Sequence, residues 1–154
     1  MERSSGHRED APMREYEVVA KRQDSHGSIA RCKSAEVALD TDVRGQSDAF
    51  NPAELFLAAI AACMIKGIER VAPLINFSFR GVEVRLHAVR QDSPPFISSV
   101  TYDLIVDTDE SDRRLELLHQ NVRKYGTISN TVAAATKLEG IIVRSAPNET
   151  RAAP

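Results

Sequence analysis

Polar and apolar positions begin to alternate at Arg14. In "REYEVVAKR" Tyr16, Val18 and Ala20 stand against charged neighbours, and "SIARCKSAEVALD" carries the alternation on to Val37 and Leu39. A period of two with one polar face predicts half-exposed strands, and the polar "QDSHG" between the runs predicts the turn of a hairpin with room for a third strand. The segment "TDVRGQSDAFNP" has no period and reads as a loop in which Ser47, Asp48 or Asn51 can cap a helix and Pro52 suits its first turn. The apolar run that follows predicts a helix from about Pro52 to Val71, stopped by Pro73.

The second half repeats the logic. "FRGVEVRLHAVRQ" sets Val82, Val84, Leu86 and Ala88 against Glu83, Arg85 and His87, and "VTYDLIVDT" does the same with Val100, Tyr102, Leu104 and Val106. With "QDSPPF" between them, these two strands should form an antiparallel pair. A second helix, capped near Asp109 or Ser111, places Leu115, Leu118, Val122 and Tyr125 on one stripe. "GTISN" then interrupts it, "TVAAAT" offers a short helix, and "LEGIIVR" a last strand. The order β-β-(β)-α-β-β-α-β is that of an α+β domain without internal repeats. Residues 1–12, without periodicity, read as a loose arm, 13–145 as a single domain, and 146–154 as a polar tail.

Composition narrows the function classes. With 154 residues, 42% of them hydrophobic, the chain can bury one core but is short for two domains. Twenty basic and 22 acidic residues, interspersed to a net charge of −2, give no footprint for nucleic acid or an anionic membrane surface. The longest strictly apolar stretch, Leu55 to Ile65, falls short of the ~20 residues a spanning helix needs. The polar start "MERSSGHREDAPM" lacks the apolar region of a secretory signal, so the expected location is cytoplasmic. There Cys32 and Cys63 should be thiols at rest, too few for a disulfide framework and without zinc-type spacing. His7, His26, His87 and His119 form no metal pattern and read as solvated. "DTDESD" lacks the glycine and terminal glutamate of a calcium loop and is explained by helix capping. There is no phosphate-binding glycine loop and no nucleophile elbow, and no cofactor is expected.

The first helix is apolar nearly all round, so one sheet cannot cover it, and a partner subunit is expected to complete its surroundings. At 100° per residue, Cys63 shares its face with Phe56, Ala59, Ile60, Gly67 and Arg70, whose small members permit the close approach of another helix. Cys63 has two readings. A free cysteine usually packs as a small buried hydrophobe, whereas reactivity requires the thiolate and therefore a neighbouring cation or hydrogen-bond donor.

"NPAELFLAAIAAC", the Ser- and Asp-containing loop before it, the strand pair after it and "VRKYGTISNTV" together resemble the osmotically inducible protein C and organic hydroperoxide resistance (OsmC/Ohr) family, from about Tyr16 to Arg144. The resemblance implies an α+β fold of antiparallel sheets around a long central helix, intertwined as a homodimer with its sites at the subunit interface. It implies that Cys63 attacks the O–O bond of a small organic hydroperoxide and becomes a sulfenic acid. In the family this condenses with a second cysteine, and an external dithiol reduces the disulfide. An arginine and a glutamate hold the thiolate in place.

The sequence departs from that pattern in three ways. Where the family has a second cysteine, in a Tyr-Cys-Pro-Val-Ser type of segment, this chain reads Tyr125-Gly126-Thr127-Ile128-Ser129. The family's usual glutamate position holds Ala53, with Glu54 one residue later. Glu54 is either the site carboxylate or a first-turn acid favoured by the helix dipole. The arginine could be Arg22 or Arg31, but neither sits in the Gly-Gly-Arg setting of the hydroperoxide branch, and each also reads as a strand-surface charge. The expected activity is therefore reduction of organic hydroperoxides with one cysteine and an external thiol, Cys32 being a further candidate partner for Cys63. The alternative is a non-catalytic protein of the same fold that binds an apolar ligand or senses redox state.

Overall fold

Short polar turns separate the first three alternating runs and fold them into an antiparallel sheet of order β1-β2-β3, with β1 Val19–Arg22, β2 Gly27–Cys32 and β3 Ala35–Asp40. The computed structural model describes residues 13–146. The predicted arm, and the predicted tail from residue 147 on, lie outside the described residues. In the β1–β2 turn the Asp24 carboxylate accepts from the backbone N–H groups of His26 and Gly27 at 2.8 and 3.1 Å. Those bonds hold its pKa below the ordinary carboxylate range. The β2–β3 turn places Lys33 at φ 57°, as a two-residue hairpin demands.

The alternation begins earlier than the strand. Tyr16 and Val18 precede β1 and are 84% and 62% exposed. Alternation can be satisfied by an extended segment that pairs with nothing, so the pattern alone does not set where hydrogen bonding starts.

Contacts divide the chain after Pro52, and every buried apolar residue described lies in the second unit. From that boundary α1 runs over Pro52–Leu74, followed by β4 Gly81–Asp92, β5 Pro95–Asp107, α2 Asp112–Tyr125, α3 Thr127–Ala133 and β6 Lys137–Arg144. β4 and β5 pair antiparallel, as expected, and β6 joins β5 in parallel, making this sheet mixed. The α2–α3 crossover is long enough to return the chain to the same end of the sheet, which a parallel partner requires. The core combines Ile60, Met64 and Ile68 of α1 with Val100, Tyr102, Leu104 and Val106 of β5 and Leu115, Leu118 and Val122 of α2.

Three element boundaries differ from expectation. Pro73 lies inside α1 instead of ending it. Asn76, at φ 51°, turns the chain out of the helix, with Phe77 N–H bonded to the Ala72 carbonyl and Asn76 N–H to that of Pro73. This is a left-handed C-terminal cap in which Asn takes the place usually held by Gly. In α2, capped by Ser111, Leu115, Leu118 and Val122 are buried but Tyr125 is 54% exposed, because the helix ends there and Gly126 redirects the chain. "GTISN" does not remain an irregular break, since α3 restarts at Thr127 directly after Gly126.

Candidate functional site

Helical geometry decides how α1 presents Cys63. Ile60, Met64, Gly67, Ile68, Val71 and Ala72 form the buried face. Ala59, Ala62, Ile65, Lys66, Glu69 and Arg70 are exposed. Cys63 lies on the border between these faces, half-buried, with a free thiol. It is therefore neither a core residue sealed from solvent nor a surface thiol. Among the described residues α1 keeps an open face, the situation for which the sequence expects a partner subunit. Its small residues do admit a close helix, but that helix is α2 of the same chain: a β-carbon on Gly67 would lie 3.2 Å from Val122 Cγ1.

Glu54 lies in the first turn of α1, at an exposed position. On a continuous helix nine residues rotate it by about half a circle from Cys63. The other candidates are carried by the first unit. Arg22 is exposed at the end of β1. Arg31, directly across the sheet from Glu36, pairs with it through Nε at 2.6 Å, so its charge is already engaged on the strand surface. Cys32 is half-buried at the end of β2, beside an open cavity of about 600 Å³ lined by Tyr16, Val19 and Arg31. Gly126, where the family carries its second cysteine, is buried and tightly packed. A β-carbon there would lie 3.0 Å from the Val122 carbonyl oxygen and 3.1 Å from Ser129 Oγ.

The polar clusters of the second unit are structural or were not foreseen. The "DTDESD" segment is consumed by local bonds. Asp107 and Asp109 clamp the Arg80 guanidinium at 2.7 and 2.8 Å, raising its pKa, and Glu110 accepts from Ser78 N–H and Arg114 Nε. Among the described residues no group of three His, Cys, Asp or Glu could hold a metal ion, and no helix is long and apolar enough to cross a membrane. His119 is not solvated as predicted. It is held against Tyr102, whose hydroxyl lies 2.6 Å from His119 Nε2 and accepts from Arg123 Nη1 at 2.9 Å. The signal was present in the sequence, since His119 and Arg123 share a helix face at a spacing of four, but it became legible only with Tyr102 opposite them.

Comparison with known proteins decides the family. The model of the family described as OsmC-like protein matches residues 45–139, more than half of the chain. The chain belongs to the OsmC-like family. No curated protein sequence matches it. Among solved structures, the OsmC-like protein from Mycoplasma pneumoniae superposes with a TM-score of 0.79 at 15% identity, over 86% of this chain and 99% of that one. The organic hydroperoxide resistance protein OsmC from Legionella pneumophila gives a TM-score of 0.66 at 20% identity, over 82% and 96%. The organic hydroperoxide resistance protein OhrB of Bacillus subtilis gives 0.60 at 18%, over 84% and 98%. At these identities the likeness is one of fold. The α+β architecture expected from the sequence, with its two small sheets and long α1, is thus the OsmC/Ohr fold.

Proposed function

We propose that this OsmC-like chain reduces small organic hydroperoxides, with Cys63 as the attacking thiol, an external thiol as reductant and a homodimer as the working form in a reducing, cytoplasmic setting. The observation that carries the reading is the position of Cys63 in a chain of this family: half-buried on the rim of α1, between an apolar core face and an open face. An apolar rim favours an organic over an inorganic peroxide, and the open side gives access. The Cys63 thiolate attacks one peroxide oxygen, the O–O bond breaks, and the alkoxide leaves as an alcohol after taking a proton. Cys63 is then a sulfenic acid. One external thiol condenses with it, releasing water and leaving a mixed disulfide. A second displaces Cys63 and departs as the oxidised reductant. This cycle needs no second cysteine in the chain, which agrees with Gly126 at the family's second-cysteine position.

The homodimer is supported by unpaired apolar surface. The first sheet buries no apolar side chain and leaves Val19 and Val37 exposed, and α1 leaves Ile65 38% exposed. A second copy covering these surfaces would also bring new neighbours to Cys63, and Arg22 or Arg31 would supply the cation a thiolate needs. Glu54 would hold that arginine.

The test is consumption of cumene hydroperoxide by the purified chain with dithiothreitol or a lipoyl dithiol, alongside trapping of the sulfenic acid at Cys63. The expected result is turnover with one trapped sulfenic acid per subunit, both abolished in Cys63→Ser. Absence of both in a correctly folded protein would reject the reading. A second reading is favoured by the close packing of Gly126: the site has lost redox cycling and retains an apolar ligand or senses redox state. Slow alkylation of native Cys63 together with a co-purified apolar ligand would select it.

A further inference from the structure

We propose that Tyr102, His119 and Arg123 form a pH-sensitive latch that fastens the second half of α2 to the sheet while the imidazole is neutral and releases it on acidification. Tyr102 is 2% exposed and its hydroxyl lies between two groups of α2, 2.6 Å from His119 Nε2 and 2.9 Å from Arg123 Nη1. Arg123 can only donate. The arrangement that satisfies all three groups has the hydroxyl accepting from Arg123 and donating its own hydrogen to a lone pair on His119 Nε2. In that arrangement the imidazole is neutral, with its proton on Nδ1.

Protonation of Nε2 turns this acceptor into a donor. The phenol oxygen would then face two donors, its own hydrogen would have no acceptor, and a second positive charge would stand beside the guanidinium. Burying an unsatisfied hydroxyl is costly, so the imidazolium is expected to leave for solvent. The Tyr102 ring cannot follow it, because it is seated on Gly140, the residue opposite it on β6. The fixed part is the sheet and the part that moves is α2.

The surroundings act in the same direction. Burial lowers the His119 pKa, opposed by Glu116 and reinforced by Arg123, both on its own helix. β5 contributes the Tyr102 hydroxyl, and β6 presents the uncharged Gly140 behind the ring while its Lys137 and Glu139 pair with each other. α1 meets α2 through uncharged Gly67. Release would be felt next at Tyr125 and Gly126, where α2 ends and α3 begins.

The test is an NMR titration of His119 in the full chain combined with amide hydrogen exchange along α2 at pH 7.5 and 5.5, corrected for the intrinsic pH dependence of exchange. His119 should titrate below the ordinary histidine value, and protection at residues 118–124 should fall at least tenfold on acidification. Tyr102→Phe keeps the ring on Gly140 but removes the hydroxyl, so the His119 midpoint should rise. His119→Gln, which accepts through Oε1 at any pH, should keep α2 protected at pH 5.5. An ordinary His119 midpoint, or protection that is independent of pH while His119 protonates, overturns the latch. So does equal acid-induced loss of protection in His119→Gln.

Discussion

Gly140 lies so close beneath Tyr102 that a β-carbon built on it would come within 2.3 Å of the Tyr102 carbonyl oxygen and 2.5 Å of its ring. The two residues face each other across the parallel β5–β6 pair, and the missing side chain is what leaves room for the ring there. Gly140→Ala must therefore displace a backbone oxygen or tilt a buried aromatic ring. The expected cost is about 3 kcal/mol, read as a fall of about 10 °C in the thermal midpoint.

Stability should depend on pH near neutrality through His119. Burial lowers its folded-state pKa, so as pH falls through the ordinary histidine range the unfolded chain takes up the proton first. The sign follows: the contribution is fully present above that range and is lost as pH falls toward the lowered folded value. Urea midpoints measured at pH 7.5 and 5.5 should decrease with acidification, and the difference should shrink in His119→Gln. The carboxylates of Asp24 and Asp109 and of Glu110 are lowered by hydrogen bonds, and their losses belong to a separate, more acidic window.

What the sequence made legible is local. Period two in "VEVRLHAV" and "TYDLIVD", the Ser111 cap and the apolar run of α1 each belong to one element, and each appears in the fold. What it hid depends on residues far apart in the chain. Pro73 does not end α1 because the stop is made by Asn76 in a left-handed conformation, and Asn is less marked as a terminator than Pro. His119 lacks a ligand at helical spacing, but its partner Tyr102 lies 17 residues away on a strand. Of the candidate site, Cys63 could be placed because its helix face is computable from spacing. Arg22 and Arg31 could not, because their roles depend on the surroundings of a sheet that has no buried apolar residue of its own.

Two isoleucines of α1 separate core from interface. Ile60 is fully buried, and Ile60→Ala should cost ~2–5 kcal/mol in any assembly state. Ile65, on the open face at 38% exposure, should cost little within a single chain. If a second copy covers that face, Ile65→Asp places a carboxylate in an apolar contact and should convert dimer to monomer in sedimentation at micromolar concentration. A dimer unaffected by Ile65→Asp would remove α1's open face from the interface.

Ser129 bears on whether the missing cysteine could simply be restored. Ser129 is 1% exposed and its hydroxyl has no hydrogen-bond partner among the described residues, so it carries a desolvation cost that none of them offsets. Ser129→Ala should thus be neutral or stabilising, by up to about 1 kcal/mol, seen as an unchanged or raised thermal midpoint. The same hydroxyl would stand 3.1 Å from a β-carbon at Gly126, and the Val122 backbone carbonyl oxygen 3.0 Å from it. Backbone strain is not the obstacle, since φ −79° at Gly126 suits any residue. Gly126→Cys should therefore lower the thermal midpoint through crowding alone, and Gly126→Cys with Ser129→Ala should recover part of the loss. Equal midpoints for the single and double variants would show that the Val122 carbonyl, not Ser129, sets the limit.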